Sequence, residues 1–146
     1  GFAIERFRVL SVFGRQPDWS AVESDVNRVL AGKLSLEARL ADRARDYAGT
    51  PRPPSAAPAR IEVSVDNEAS DSATVIEVRA PDRIGTLYRI TKALAEMELD
   101  VRLARVTSLG HEVVDAFYVV DQSGTKLTDD DHLHEIQRGI AVHLTQ

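Results

Sequence analysis

The chain has 146 residues, 43% of them hydrophobic, a formal net charge of −5 and no cysteine. That length and apolar share suit one ordinary or two small globular domains with a buried core. The scattered Lys and Arg exclude the basic patch of a nucleic-acid or anionic-membrane binder. The missing thiols exclude disulfides and point to a reducing, cytoplasmic setting, no apolar run approaches a membrane span, and the first residues do not read as a signal peptide.

Taken in chain order, residues 4–10 (Ile-Glu-Arg-Phe-Arg-Val-Leu) read as a strand that turns at Gly14. Val22, Val26 and Val29 then recur at helical spacing. Residues 35–47 extend this as an Arg-rich, solvated helix with Leu36, Leu40 and Ala44 on one stripe. Four prolines between 51 and 58 rule out a regular helix or a central strand, so residues 49–58 form a semi-rigid linker. Ile61, Val63 and Val65 alternate with polar residues as in a half-buried strand, and residues 66–72 turn the chain. The β-branched run Thr74-Val75-Ile76-Glu77-Val78 is a second strand. A helix over residues 85–98 with Leu87, Ile90, Leu94 and Met97 on one face, a strand within 101–107, a strand at 114–120 and a helix over 133–144 complete the chain.

Two of these stretches are copies. At an offset of 110, residues 4–10 match residues 114–120 in class at nearly every position, Gly14 falls on Gly124, and Val22, Val26 and Val29 answer Leu133, Ile136 and Ile140 to within a residue. Before its second copy this unit has a β-α-β half, and before its first copy it has none. The expected organisation is therefore the C-terminal half of a first unit over 1–72, closed by the strand near 61–65, and a second unit over 73–146. A full unit would be β-α-β-β-α-β, the ferredoxin-like α+β arrangement. The second unit lacks a closing strand, which predicts an open or swapped sheet edge and a homodimer through sheet pairing.

The junction Ala80-Pro81-Asp82-Arg83-Ile84-Gly85-Thr86-Leu87 is the main candidate site. A strand-to-helix turn presents unpaired backbone N–H groups backed by the helix dipole, and glycine allows close approach, so a carboxylate or phosphate is favoured there. The plainer reading is that Asp82 caps the helix. Asp129, Asp130 and Asp131 with His132 and His134 read as a helix start rather than a metal site, because histidines two apart face different ways. His111 sits in a turn facing solvent. Phe117 is assigned to the core, and Tyr118 to the opposite face. Phe117 and Tyr118 do not amount to an RNA-stacking surface in an acidic chain with 5% aromatic residues.

The element order and the Pro-Asp-Arg-x-Gly turn resemble the ACT domain, a regulatory module that binds amino acids. The segments at 65–71 (Val-Asp-Asn-Glu-Ala-Ser-Asp), 74–83, 87–95 and 113–119 (Val-Val-Asp-Ala-Phe-Tyr-Val) are similar to the C-terminal tandem ACT region of bacterial PII uridylyltransferase/uridylyl-removing enzymes. In that family a nucleotidyltransferase domain modifies PII signal proteins, a metal-dependent phosphohydrolase domain reverses it, and the ACT pair senses glutamine. The resemblance implies no catalytic residue, metal or cofactor in this segment, with Mg²⁺ belonging to the catalytic parts of the parent enzymes. It implies that amides at Gly85 and Thr86 hold the carboxylate of a glutamine effector while Asp82 faces its ammonium. Arg83 pairs either with a carboxylate or with the facing domain, and Ala104, Arg105 and Val106 of that domain close the pocket. The family turn usually reads Pro-Asp-Arg-Pro-Gly-Leu, so Ile84 and Thr86 are departures that bear on ligand identity. An assembly module without ligand, and the same region of a PII adenylylyltransferase, are the alternative functions.

Overall fold

The computed structural model describes Gly14, residues 16–48 and residues 60–145; the strand expected at 4–10 and the linker at 49–58 lie outside them. Two compact units divide the chain, residues 1–39 and 40–146.

In the first unit, helix α1 (Trp19–Leu30) starts where the Asp18 carboxylate accepts the Ala21 amide at 3.1 Å, an N-cap that satisfies one orphan donor. Helix α2 (Leu36–Tyr47) starts within the same unit, where Arg39 forms an ion pair with Asp25 of α1. Neither helix buries a residue. The repeat makes this informative, because Val26 is 52% exposed while its counterpart Ile136 is fully buried.

The second unit holds strands β1 (Glu62–Asp66), β2 (Thr74–Pro81), β3 (Asp100–Arg105), β4 (Ser108–Leu109) and β5 (Glu112–Val120) with helices α3 (Thr86–Glu96) and α4 (Asp130–Thr145). The sheet order is β1-β2-β5-β3, every pairing is antiparallel, and β4 pairs with the start of β5 in a tight hairpin that periodicity did not reveal. In β2, Ile76, Val78 and Ala80 are buried while Glu77 and Arg79 are exposed; in β5, Val113, Phe117 and Val119 are buried. This period of two turns one sheet face toward the helices, where Ile90, Ala93 and Leu94 of α3 and Ile136, Ile140 and Leu144 of α4 complete the core. Burial of each of these Ile and Leu side chains contributes about 1.5–3 kcal/mol of transfer free energy. The helices approach closely, since a Cβ on Gly139 would come within 3.1 Å of Met97 Cε. His143 Nε2 lies 2.9 Å from Glu96 Oε2 across the same seam.

Two expectations need correcting. The strand near 61–65, assigned to the first unit, pairs along its whole length with β2, from Glu62 opposite Arg79 to Asp66 opposite Val75. A boundary at 72 would cut this hairpin. β1 occupies the place beside β2 that the last strand of a β-α-β-β-α-β unit takes, so a strand from upstream fills the edge expected to be open or swapped. The alternation of Val63 and Val65 specified a buried face and not the neighbour it would pair with. On the expected face of α3, Ile90 and Leu94 are buried and Met97 packs against the core, but Leu87 is 37% exposed and Thr86, with Ala93, takes the inward place.

Candidate ligand-binding turn

Between β2 and α3 the chain makes a turn built from side-chain and main-chain bonds. The Asp82 amide donates to the His111 carbonyl at 2.8 Å, which ties the turn to the hairpin before β5. The Thr86 hydroxyl donates to the Pro81 carbonyl at 3.1 Å and accepts from the Arg83 amide at 3.3 Å, while the Thr86 amide donates to the Arg83 carbonyl at 3.1 Å. Thr86 is therefore an internal clasp, 4% exposed. Gly85 adopts φ +89°, a left-handed conformation that costs other residues energy, and it is the helix N-cap with no side-chain cap.

This geometry changes two expected roles. Asp82 is exposed and is not the cap, because Gly85 takes that position. The Thr86 amide already has an acceptor, so it is not the donor pictured for a ligand carboxylate. No described residue accepts a hydrogen bond from the amides of Gly85, Leu87 or Tyr88, which leaves them as the open donors of the turn. Ile84 is half-buried beside them.

Ala104, Arg105 and Val106 lie at the end of β3, the sheet edge opposite β1, with β5 between them and β2. One chain does not bring them to the turn. All three are exposed, and the Arg105 guanidinium stands 5.7 Å from the centre of the Tyr118 ring. Tyr118 thus takes the outer sheet face while Phe117, 1% exposed, takes the inner one.

Asp115 is a residue that sequence reasoning misses and whose one signal is register: it falls on the inward face with Val113, Phe117 and Val119. It is fully buried, with Oδ1 accepting the Thr107 amide at 3.1 Å and Oδ2 lacking a partner. Burial pushes its carboxyl above the usual range, the Thr107 amide pulls it down, and the charge of Asp82 adds to the upward shift. The coupling puts an orphaned acid beneath the turn.

On the β1 flank of the turn a cleft of about 220 Å³ opens between Ile61, the start of α3 and the end of α4. Arg83, Arg89 and Thr86 form one wall, and Leu144 and Thr145 the other. Elsewhere, the Asp129 carboxylate accepts the His132 amide at 2.8 Å and caps α4, with Asp130 and Asp131 in its first turn. Among the described residues no group of three or more His, Asp or Glu is arranged to hold a metal ion. Among them, too, no helix is long and apolar enough to cross a membrane.

Residues 69–146 match the model of the ACR family N-terminal ACT domain. The chain is 42% identical over 125 residues to a bifunctional uridylyltransferase/uridylyl-removing enzyme of Streptomyces coelicolor, covering 86% of this chain and 15% of that protein. It is 34% identical, over the whole chain and 16% of the relative, to the protein of the same name from Rhodospirillum rubrum. A third, from Azospirillum brasilense, is 36% identical over 77% of this chain and 12% of its own length. The chain thus spans only about a sixth or less of these relatives. No solved structure matches it.

Proposed function

Because the chain belongs to the ACR family of ACT domains and is a regulatory segment, we propose that it is the amino-acid-sensing region of a bifunctional uridylyltransferase/uridylyl-removing enzyme, with glutamine as its effector. The observation that carries this reading is the turn at the start of α3. Its uncapped amides at Gly85 and Leu87 suit an α-carboxylate, and exposed Asp82 suits an α-ammonium. Arg83 stands beside them for a second contact. The pocket is completed when β3 of a second copy presents Ala104, Arg105 and Val106 to this turn. Val101, Leu103 and Val106, each at least 40% exposed along that edge, support such pairing.

In this reading glutamine acts allosterically on catalytic domains outside the segment, which carry Mg²⁺ and act on a PII signal protein in the control of nitrogen assimilation. The segment itself supplies a differential affinity and no chemistry. Calorimetry and thermal unfolding with glutamine test it. At one hundred times Kd the ligand adds about 2.7 kcal/mol of stability, and Asp82→Asn weakens binding while leaving the fold intact. An unchanged melting curve with glutamine and with the other amino acids would overturn it.

The apolar β3 edge favours a second reading, an assembly module that binds no small molecule. Light scattering during the same titration separates the two, because the assembly reading predicts a dimer indifferent to every amino acid.

A further inference from the structure

We propose that the cleft between the first turn of α3 and the last turn of α4 binds a small dianion, phosphate or a short dicarboxylate, through the guanidinium groups of Arg83 and Arg89. This site rests on that reading only in adjoining the amino-acid contact at the amides of Gly85 and Leu87: Arg83 lies between the two, whereas Arg89, Leu144 and Thr145 belong to the cleft alone.

The composition of the cleft selects charge. Arg83 and Arg89 line it with the apolar Ile61 and Leu144, and among the described residues no carboxylate lines it. The Thr86 and Thr145 hydroxyls donate to the Pro81 and Val142 carbonyls, which leaves the arginines as the polar groups free to meet a ligand. Arginine forks match the geometry of carboxylate and phosphate oxygens. Neither guanidinium is engaged in an ion pair with a described residue, whereas Arg28, Arg39, Arg45, Arg102 and Arg138 are each paired with a carboxylate.

The helix at the cleft is charged against its own dipole. The first turn of α3 holds no acidic residue and leads into Arg89, while α4 opens with Asp130 and Asp131 and α2 with Glu37. Positive side chains near a positive helix end repel. A bound dianion offsets that penalty. The size is consistent, since about 220 Å³ is below the roughly 300–1,000 Å³ of sites for larger ligands.

The test is a backbone-amide NMR titration of the full 146-residue chain with inorganic phosphate, with succinate and with sodium chloride at matched ionic strength. Saturable shifts at residues 83–89 and 144–145 with phosphate or succinate, absent with chloride, are expected; the stronger of the two identifies the ligand class. Arg89→Gln should weaken binding at least tenfold. Arg89→Lys, which keeps the charge and loses the fork, should fall between, and it decides the matter should Arg89→Gln fail to fold. Shifts that do not saturate, that chloride reproduces, or that survive both substitutions would overturn the proposal. Glutamine should move residues 85 and 87 and leave 144–145 in place, so failure of either site is read apart from the other.

Discussion

The hydroxyl of Thr74, fully buried at the start of β2, donates to the side-chain oxygen of Asn67 at 2.7 Å across the β1–β2 loop. Two further bonds extend the pair: Asn67 Nδ2 donates to the Leu127 carbonyl at 2.7 Å, and the Leu127 amide donates to Thr74 Oγ1 at 3.0 Å. Lys126 adds a bond from its ammonium to the Ser70 carbonyl at 2.7 Å. The Asp-Asn-Glu-Ala-Ser segment is thus a structural clasp that fixes the loop beside β1 to the approach to α4.

Asn67→Ala leaves the Thr74 hydroxyl with only the Leu127 carbonyl, at 3.5 Å, as acceptor, and takes from that carbonyl its closer donor. Unsatisfied buried groups of this kind cost about 1–3 kcal/mol. Urea denaturation of the variant should show a loss in that range with an unchanged slope. A midpoint equal to that of the parent would mean that the clasp contributes nothing net.

Asp115→Asn should stabilise the protein at neutral pH. The folded-state pKa of Asp115 is raised, chiefly by burial, so the folded state prefers the protonated acid. Its favourable contribution is complete below the unfolded Asp value, about 3.9, and is lost as pH rises through the folded pKa. The amide keeps an acceptor for the Thr107 N–H and has no charge to bury. The Tm difference between variant and parent should be positive at pH 7 and vanish near about pH 3; a Tm that falls at both values contradicts this account.

The Asp121 carboxylate gathers donors in the turn after β5, accepting the Ser123 hydroxyl at 2.6 Å, the Thr125 amide at 2.9 Å and the Thr125 hydroxyl at 3.0 Å. These bonds lower its pKa to about 2. The stability they contribute is present above the unfolded Asp value and disappears as pH falls through about 2. Carboxyl-carbon NMR should find Asp121 titrating well below the other aspartates, and Asp121→Asn should remove part of the acid-limb loss of stability.

Gly85→Ala tests the conformation of the turn separately from its space. An added Cβ would meet no atom closer than 4.0 Å, but φ is +89°. The cost is therefore one of backbone strain, about 1–2 kcal/mol, and glutamine affinity should fall with it. Calorimetric unfolding and glutamine titration of the same variant measure both.

Elements whose hydrophobic period matched a single geometry were legible before any coordinates. The β-branched run from Thr74 to Val78 placed β2, the spacing of Ile136 and Ile140 placed α4, and pleat alone puts Phe117 and Tyr118 on opposite sheet faces. The candidate turn was found because proline, aspartate and glycine have local conformational meaning. Where a residue's role depends on a neighbour distant in the chain, the pattern was silent. Leu87 and Thr86 compete for one helix face, and Thr86 is inward because its hydroxyl reaches the Pro81 carbonyl. Arg89 became a candidate only when α4 closed the other side of its cleft.

Local chemistry carried in consecutive residues was enough for the described helices, the described strands other than β4, the family and the position of the candidate turn, since dihedral preferences and burial periods act over a few residues. Three-dimensional pairing alone assigned β1 to the edge beside β2, placed Asp115 without a partner for Oδ2 and set Arg83 and Arg89 in a common cleft. Strand pairing, desolvation and charge proximity depend on distances across space, and a burial pattern specifies which face is apolar without naming what covers it.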